Sequence, residues 1–396
     1  MSISIDSKPM KIGILTPSIY MYQQRYKDRI FAPGELVRNL VKGLLDRGHN
    51  VTWFSASGEE TKAKLVLGNK DLLEKDLQMR SFQDINEGIK RKVSLYGTKM
   101  YYEMDLVARA YELAQKGDVE LLHIFHSFGY LAHFLSELTQ VPTVFTMHDP
   151  LPTDNMLESW LLDRFPGPRY ISISRSQQGS QGNHFIGNVY NGINEAEFAF
   201  SPTGGQEFIC VGRLVSQKGF DQAIAAVKIA RTSLIIASWI TDDVQNSDYY
   251  RQKIVSHVDG ATIKVKSLMQ EGERVQLYQQ AKALLFPIAW EEPFGMVMTE
   301  AMACGTPVIA YNRGSVPEIV KDGITGFIID PDGEDRPGKG SWVIKKQGIE
   351  GLVEAIKRIG EIDRAACRRH VEEYFTVEKM VSGYEGVYKR VVNKLQ

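Results

Sequence analysis

The sequence predicts an α/β protein of two doubly wound domains in series, closed by a helical tail. Three observations lead there. Short apolar runs of strand length alternate with stretches of helical spacing along most of the chain, the pattern of parallel sheets covered on both faces. The alternation pauses at Phe200-Ser201-Pro202-Thr203-Gly204-Gly205-Gln206, where Pro, Gly and small polar residues carry no periodicity, and then restarts. The 396 residues suffice for two cores of roughly 200 residues each.

In order, Lys11–Thr16 reads as a buried strand. Glu35–Arg47 has helical spacing, with Leu36, Leu40, Val41, Leu44 and Leu45 on one side and Gly48 as a stop. Val51–Phe54 is a second strand, 82–117 is helical and polar-rich, and Glu120–Phe125, Thr143–Met147, Tyr170–Ile173 and His184–Tyr190 are further strands. After the linker, strands are expected at Phe208–Val211, Ser233–Ala237, Ala261–Val265, Ala283–Pro287, Pro307–Ala310 and Gly326–Ile329. Helices fall near 219–231, 246–257, 271–282 and 296–303, and residues 349–396 are helical. The domains are read as 1–200, 201–372 and a C-terminal helix, 373–396, returning to the first.

Composition narrows the class. Hydrophobic residues at 43% and charged residues at 24% exclude a disordered chain, a collagen-like chain and a coiled-coil rod. The 47 basic and 48 acidic residues divide as 22 and 23 over residues 1–200 and 25 and 25 over 201–396, so neither half is a basic module and nucleic acid is not an expected partner. Cys210, Cys304 and Cys367 lie far apart in apolar surroundings and read as buried free thiols. The first ten residues lack an apolar signal region and no run of about 18 apolar residues occurs, so a cytoplasmic location is expected.

Several motifs fail on inspection. The glycine triplet of a dinucleotide site is missing after Lys11–Thr16, where Pro17-Ser18-Ile19-Tyr20 follows, and after Phe208–Val211, where Gly212-Arg213 follows. Gly333 to Lys339 resembles a P-loop, but Gly340 stands in place of Ser or Thr and an extended stretch follows instead of a helix. Asp330-Pro331-Asp332 reads as a turn before a metal pair. His123 and His126, at strand spacing three, face opposite sides, giving a core histidine and a loop histidine.

Three segments of the second half carry chemistry. Arg213 and Lys218 lie in the turn between a strand and a helix, where two cations beside a helix N-terminus suit a diphosphate; alone, a solvated basic loop is the simpler reading. Glu292 and Glu300 stand eight apart, the first in a strand-to-helix loop, the second inside the helix where a carboxylate can reach a vicinal diol. Gly295 admits close backbone approach. Two carboxylates could also form a hydrolase acid/base pair, although the phosphate-type features beside them favour a nucleotide. Arg313-Gly314-Ser315-Val316-Pro317-Glu318 offers free N–H groups before a helix, or is an ordinary capped helix.

Together, segments 211–220, 291–310 and 314–327 resemble the retaining glycosyltransferases of family 4, which have the two-domain GT-B fold of paired Rossmann-like sheets facing a cleft. The run E-PFGMVMT-E is similar to that family's signature, followed by AMACGTPVIA and GSVPEIVKDGITGF; RGHNVTWF, TMHD, ISISRS and VYNGIN match in the first half. The resemblance implies a nucleoside-diphosphate sugar as donor, with UDP the commonest in the family. It implies transfer to an acceptor hydroxyl with retention, and neither metal nor separate cofactor. Arg213 and Lys218 would hold the diphosphate, and Glu292 with the backbone of Phe294, Gly295 and Met296 the donor sugar. Glu300 would take the ribose hydroxyls, and His148 would face the sugar across the cleft. The family's Gly-Gly is here Phe31-Ala32-Pro33-Gly34-Glu35, so Gly34 serves alone. Asn191-Gly192-Ile193-Asn194 reads as structural. The first domain would select a small-molecule, glycan or lipid-linked acceptor, with Tyr20, Tyr22 and Arg25 as candidates. Lys90, Arg91, Lys92, Lys99, Tyr101 and Tyr102 could touch anionic lipid, although a solvated face is preferred. A nucleotide-sugar epimerase and a catalytically silent nucleotide-sugar-binding protein are the alternatives. Domain closure is expected, with hinges near 200–206 and 373–380.

Overall fold

The apolar runs become strands of two parallel sheets. The structure, a computed structural model, describes residues 8–17, 32–56, 58, 60–69, 72, 98–125, 130–149, 156–167, 169–267, 271–333 and 340–393. The first half runs β1 (Lys11–Leu15), α1 (Ala32–Asp46), β2 (Asn50–Ser55), β3 (Lys64–Leu67), α2 (Thr98–Gln115), β4 (Leu121–Phe125), α3 (Tyr130–Glu137), β5 (Thr143–Thr146), α4 (Met156–Arg164), β6 (Tyr170–Ser172), a kinked 3-10 segment (Ser176–His184) and β7 (Phe185–Asn188). The second runs β8 (Phe208–Val211), a 3-10 turn (Ser216–Lys218), α5 (Phe220–Ala230), β9 (Leu234–Ser238), α6 (Asp242–Asn246), β10 (Ile263–Ser267), α7 (Glu271–Gln280), β11 (Ala283–Phe286), α8 (Met296–Ala303), β12 (Val308–Tyr311), α9 (Val316–Ile319) and β13 (Gly326–Ile329). The tail is α10 (Gly348–Arg358), α11 (Arg364–Tyr374) and α12 (Val377–Asn393).

Strand order is β3-β2-β1-β4-β5-β6-β7 in one sheet and β10-β9-β8-β11-β12-β13 in the other, all pairings parallel. These are the two doubly wound, Rossmann-like units expected. Ile14 sits between Trp53 and His123, with all three side chains buried. The order reverses between β1 and β4 and between β8 and β11, and ligands of such sheets bind beyond the carboxyl ends of strands at that reversal. Three elements escaped the sequence reading: the half-buried edge strand β3 and the short helices α3 and α4. The helix expected over 246–257 breaks into α6, a π turn at Tyr250–Ile254 and a 3-10 turn at Val255–His257, because Ser247 is extended and ends α6.

The tail helix α12 belongs to the first core. Met380, Val381, Tyr384, Val387 and Tyr388 fall on one helical stripe and are buried there. Gly43 of α1 admits Val381, since a Cβ at Gly43 would meet its Cγ2 at 2.5 Å. Beside this stripe the buried Glu385 accepts from Arg47 at 2.6 Å and Lys389 at 2.7 Å, and these cations hold its carboxyl down to about 2 against the opposing effect of burial.

The chain passes between the sheets twice, side by side. Ile193 N–H donates to Phe375 O at 2.9 Å and Val377 N–H to Ile193 O at 3.0 Å. Gly192 permits the approach, since a Cβ there would lie 2.3 Å from Thr376 O. Segment 200–206, read as a linker and hinge, is fastened to the second unit instead. Ser201 N–H donates to Cys304 O, Gly205 N–H to Gln280 O, and Arg364 reaches Ser201 O and Ala281 O. Pro and Gly there mark lost periodicity, not freedom.

All three cysteines are free and buried, and burial raises each thiol's pKa. His123 is the core histidine expected, bonded through Nδ1 to the Tyr388 hydroxyl at 2.6 Å and through Nε2 to Thr146 Oγ1 at 2.9 Å. His126, Tyr20, Tyr22, Arg25, Lys90, Arg91, Lys92 and residues 334–339 of the P-loop-like run lie outside the described residues. Tyr101 is exposed on α2, whereas Tyr102 is buried with its hydroxyl on Ser55 O. Asp330 Oδ1 accepts from Asn312 and Trp342, a structural use, and no cluster of three candidate metal ligands occurs among the described residues. Among them also, no helix is long and apolar enough to cross a membrane.

Burial, with the charge of His148 adding, lowers the His123 pKa to about 3 from 6.5. Between those values the unfolded chain binds a proton that the folded one refuses, so stability is full above about 6.5 and falls with pH below it. Denaturant unfolding at pH 5 should show about 2 kcal/mol less stability from this group than at pH 7, and His123→Gln should flatten that slope.

Candidate functional site

The site forms where the loops after β8 and β11 meet the loop after β5. Lys218 ends the 3-10 turn after β8, and Gly219 then opens α5 at φ +69°. A Cβ at Gly219 would fall 1.8 Å from Pro287 O, so only glycine lets this turn lie against the end of β11. Ala289 N–H donating to Gln217 O at 2.8 Å closes the same contact. Gly295, φ +79°, opens α8. Two helix N-termini, of α5 and α8, thus begin at the carboxyl edge of one sheet, an arrangement suited to anions.

Between them, Lys218 Nζ donates to Glu292 Oε2 at 2.5 Å, with side-chain exposures of 14% and 11%. Trp290 Nε1 donates to the same oxygen at 2.9 Å, and the Lys218 ammonium sits 5.2 Å over the Trp290 ring and 5.6 Å over that of Phe286. Trp290 thereby fixes both charged groups, one by a hydrogen bond and the other by its π face. Arg213 is exposed in the turn before Lys218. Across the cleft, His148 follows β5 with its ring stacked on Phe125 at 5.8 Å and 8°. Enclosure lowers the His148 pKa to about 4, so the imidazole is neutral near neutral pH. The next residue, Asp149, feels both facing groups: enclosure raises its pKa, Arg213 lowers it and Glu292 raises it. Residues of both halves therefore share one electrostatic environment.

The other expected residues are placed as follows. Gly34 is buried in the first turn of α1, the helix after β1. Phe294 is buried and joins Tyr190 and Phe375 in an aromatic cluster, while Met296 touches both cores. Glu300 is turned inward: Arg274 donates to Oε1 at 2.9 Å and Tyr278 OH to Oε2 at 2.8 Å, leaving the side chain 4% exposed. The N–H groups expected free at 314–315 are engaged. Gly314 N–H donates to Glu291 Oε2 at 2.6 Å and Ser315 N–H to Glu292 O at 2.9 Å. Ser315 Oγ donates to Phe294 O at 2.7 Å. These bonds brace the Glu292 loop, and Gly314 at φ +54° is needed because a Cβ would strike Glu292 O at 2.3 Å. The sequence reading assigned no role to Trp290, Asp149, Arg274 or Tyr278; for the first two, adjacency to Glu292 and His148 was the available signal.

Residues 34–194 match the family model described as Glycosyltransferase Family 4, and residues 194–337 that described as Glycosyl transferases group 1. This chain belongs to the group 1, family 4 glycosyltransferases. It is 25% identical over 398 residues to N-acetyl-alpha-D-glucosaminyl L-malate synthase of Bacillus anthracis, covering 91% of this chain and 94% of that protein. It is 29% identical over 233 residues to glycogen synthase of Mycobacterium tuberculosis, covering 54% and 50%. The chain spans about half the length of the first curated relatives it matches, 45% of an uncharacterized protein of the Klebsiella pneumoniae cps region and 58% of alpha-maltose-1-phosphate synthase of Mycobacterium tuberculosis. Among solved structures it resembles sucrose-phosphate synthase from Thermosynechococcus elongatus (TM-score 0.67, 17% identity, 97% of this chain and 99% of that one). It also resembles Anabaena HepE in complex with UDP and glucose (TM-score 0.64, 17% identity, 96% and 99%). These likenesses show the GT-B fold.

The Glu300–Arg274–Tyr278 cluster locks α8 of this glycosyltransferase-family chain to α7. Breaking a buried pair from one side is costly, so Glu300→Ala should remove about 3–5 kcal/mol of stability, read as a lower denaturation midpoint at unchanged denaturant slope.

Proposed function

We propose that this protein is a retaining, metal-independent glycosyltransferase that moves a sugar from a nucleoside-diphosphate sugar, a UDP-sugar first, to an acceptor hydroxyl. The observation that carries the reading is the Lys218–Glu292–Trp290 group, set between two glycine-opened helix N-termini and facing His148 and Asp149. A cationic pair beside oriented N–H groups suits a diphosphate leaving group, whose charge grows as the glycosidic bond lengthens.

In this reading Arg213 and Lys218 bind the diphosphate and supply the charge stabilisation for which other enzymes use a divalent ion. Glu292, with the backbone of Phe294, Gly295 and Met296, holds the sugar hydroxyls. The remaining lone pairs of Glu300, whose carboxylate is paired with Arg274, serve the ribose. His148, neutral, hydrogen-bonds the sugar from the other side. The bond from the anomeric carbon to the diphosphate oxygen breaks through an oxocarbenium-like state. The acceptor oxygen bonds to that carbon on the same face, and its proton passes to the departing diphosphate. No second carboxylate of the hydrolase kind is required. UDP is favoured as the family's commonest donor nucleotide, and the HepE structure is named for UDP and glucose. A small-molecule, glycan or lipid-linked acceptor is proposed to enter from the first domain, and a cytoplasmic location suits a nucleotide-sugar donor.

Thermal unfolding with UDP, GDP, ADP, TDP and NAD tests the donor. A diphosphate at about 100 times its dissociation constant adds roughly 2.7 kcal/mol, a rise of roughly a few degrees for a chain of this size. A shift with NAD alone, or with no diphosphate, would overturn the reading.

Once a donor is identified, Lys218→Ala and Glu292→Ala should each lower kcat for its turnover by about 100-fold or more. Unchanged turnover in Glu292→Ala would remove that residue from the mechanism.

A further inference from the structure

Glu318 belongs to the second half, yet its carboxylate bonds to the first. It lies on α9, whose first turn is tied to the donor loop through Ser315, with its N–H on Glu292 O at 2.9 Å and its Oγ on Phe294 O at 2.7 Å. The Glu318 carboxylate leaves the second unit and accepts three bonds from the first. Arg175 N–H donates to Oε2 at 2.8 Å, Ser176 N–H to Oε1 at 2.7 Å, and the Tyr190 hydroxyl to Oε2 at 2.8 Å. The chain then runs from Ser176 into Gln177, whose buried amide donates to Met147 O at 3.0 Å and Asp149 O at 2.8 Å, the carbonyls flanking His148. Gln177 Oε1 accepts Ile173 N–H at 2.9 Å, which fixes the direction of that amide.

We propose that Glu318 is a positioning residue that sets the donor loop carrying Glu292 in register with the first-domain loop carrying His148, acting through the 175–177 turn and Gln177. The inference rests on the reading that Glu292 and His148 address one donor sugar. Chemistry favours register over simple stabilisation. The Arg175 and Ser176 bonds are open to water, so little folding energy depends on them. They are directional nonetheless: one carboxylate held by two backbone N–H groups and a phenol has a single facing. A rotation of one sheet against the other strains all three bonds together. The path from Glu292 to His148 consists of hydrogen bonds and short covalent stretches, so a small rotation at Glu318 reaches both loops.

The test uses the full chain with spin labels at two exposed positions, Leu138→Cys (78% exposed) in the first half and Ile229→Cys (62% exposed) in the second. The three native thiols are buried and do not compete for label. Glu318→Ala should broaden the interlabel distance distribution about two-fold. Glu318→Gln should fall between it and the parent, because its oxygen still accepts while its NH2 opposes an N–H. Tyr190→Phe, which loses one bond of three, should change least. In uniformly 13C-histidine-labelled protein, assigned by His148→Gln, the His148 ring signal should move in Glu318→Ala while the melting temperature stays within about 2 °C of the parent. UDP affinity should stay within about two-fold, since its cations lie wholly in the second unit. A Glu318→Ala distribution superimposable on the parent's, or an unmoved His148 signal, would overturn the inference. Failure of the parent to bind UDP, GDP, ADP or TDP would instead strike the functional reading, and the distance measurement would still decide the register.

Discussion

The structure depends on the two chain passages that cross between the sheets in one paired step. Ile193 and Phe375–Val377 exchange two backbone hydrogen bonds, and Gly192 lets the strands approach where any side chain would collide with Thr376. Because the second passage is bonded to the first, α12 must start beside the end of the first domain, and its apolar stripe reaches that domain's core. Tyr190 and Phe375, one from each passage, close around Phe294 of the loop that carries Glu292. The crossing is thus the floor beneath the loop that carries Glu292.

Above that floor, the cleft is organised by charge and by missing side chains. Gly219, Gly295 and Gly314 each occupy left-handed backbone; a Cβ would meet a neighbouring loop at Gly219 (Pro287 O, 1.8 Å) and at Gly314 (Glu292 O, 2.3 Å), and the Met298 side chain of α8 at Gly295 (2.7 Å). These close approaches put Lys218, Glu292 and the braces at 314–315 within a few bonds of one another. The polar groups so gathered are largely paired within the second unit: Lys218 with Glu292, Glu300 with Arg274. Arg213 is the more exposed cation, and it is the one whose field reaches Asp149 on the opposite side. An anion entering the cleft meets fixed dipoles and a cation whose surroundings need little rearrangement, the condition under which electrostatic stabilisation is strong.

Much of this was legible in the sequence, and the parts that were not share a cause. Strands with both faces buried advertise themselves by composition, so Phe208–Val211 and Gly326–Ile329 were read to the residue, and α8, expected near 296–303, begins at Met296 and ends at Ala303. β3 escaped because an edge strand, half exposed, needs no continuous apolar run. The π turn at Tyr250–Ile254 escaped because periodicity reports which face is apolar, not which hydrogen-bond ladder carries it. In the site, local motifs located Lys218 and Glu292 but could not show that they pair with each other 74 residues apart in sequence. Glu300 illustrates the limit: its spacing placed it correctly on α8, but Arg274 and Tyr278, from α7, decide where its carboxylate points.

Segment 313–318 shows how one stretch serves more than one purpose. Its glycine and serine look like an anion cradle, since small residues before a short helix leave N–H groups uncovered. The fold spends those N–H groups on Glu291 and Glu292, which makes the segment a brace. A brace needs no charge of its own, so Glu318, one turn further on, faces outward, and the groups it meets are two backbone N–H donors and the Tyr190 hydroxyl of the other domain. Two of its three donors belong to the backbone and cannot be removed by a side-chain substitution, so this contact depends chiefly on the Glu318 carboxylate. The residues that brace the Glu292 loop and the carboxylate that meets the other half are therefore adjacent in sequence, because the same short turn touches the Glu292 loop with one end and the opposite domain with the other.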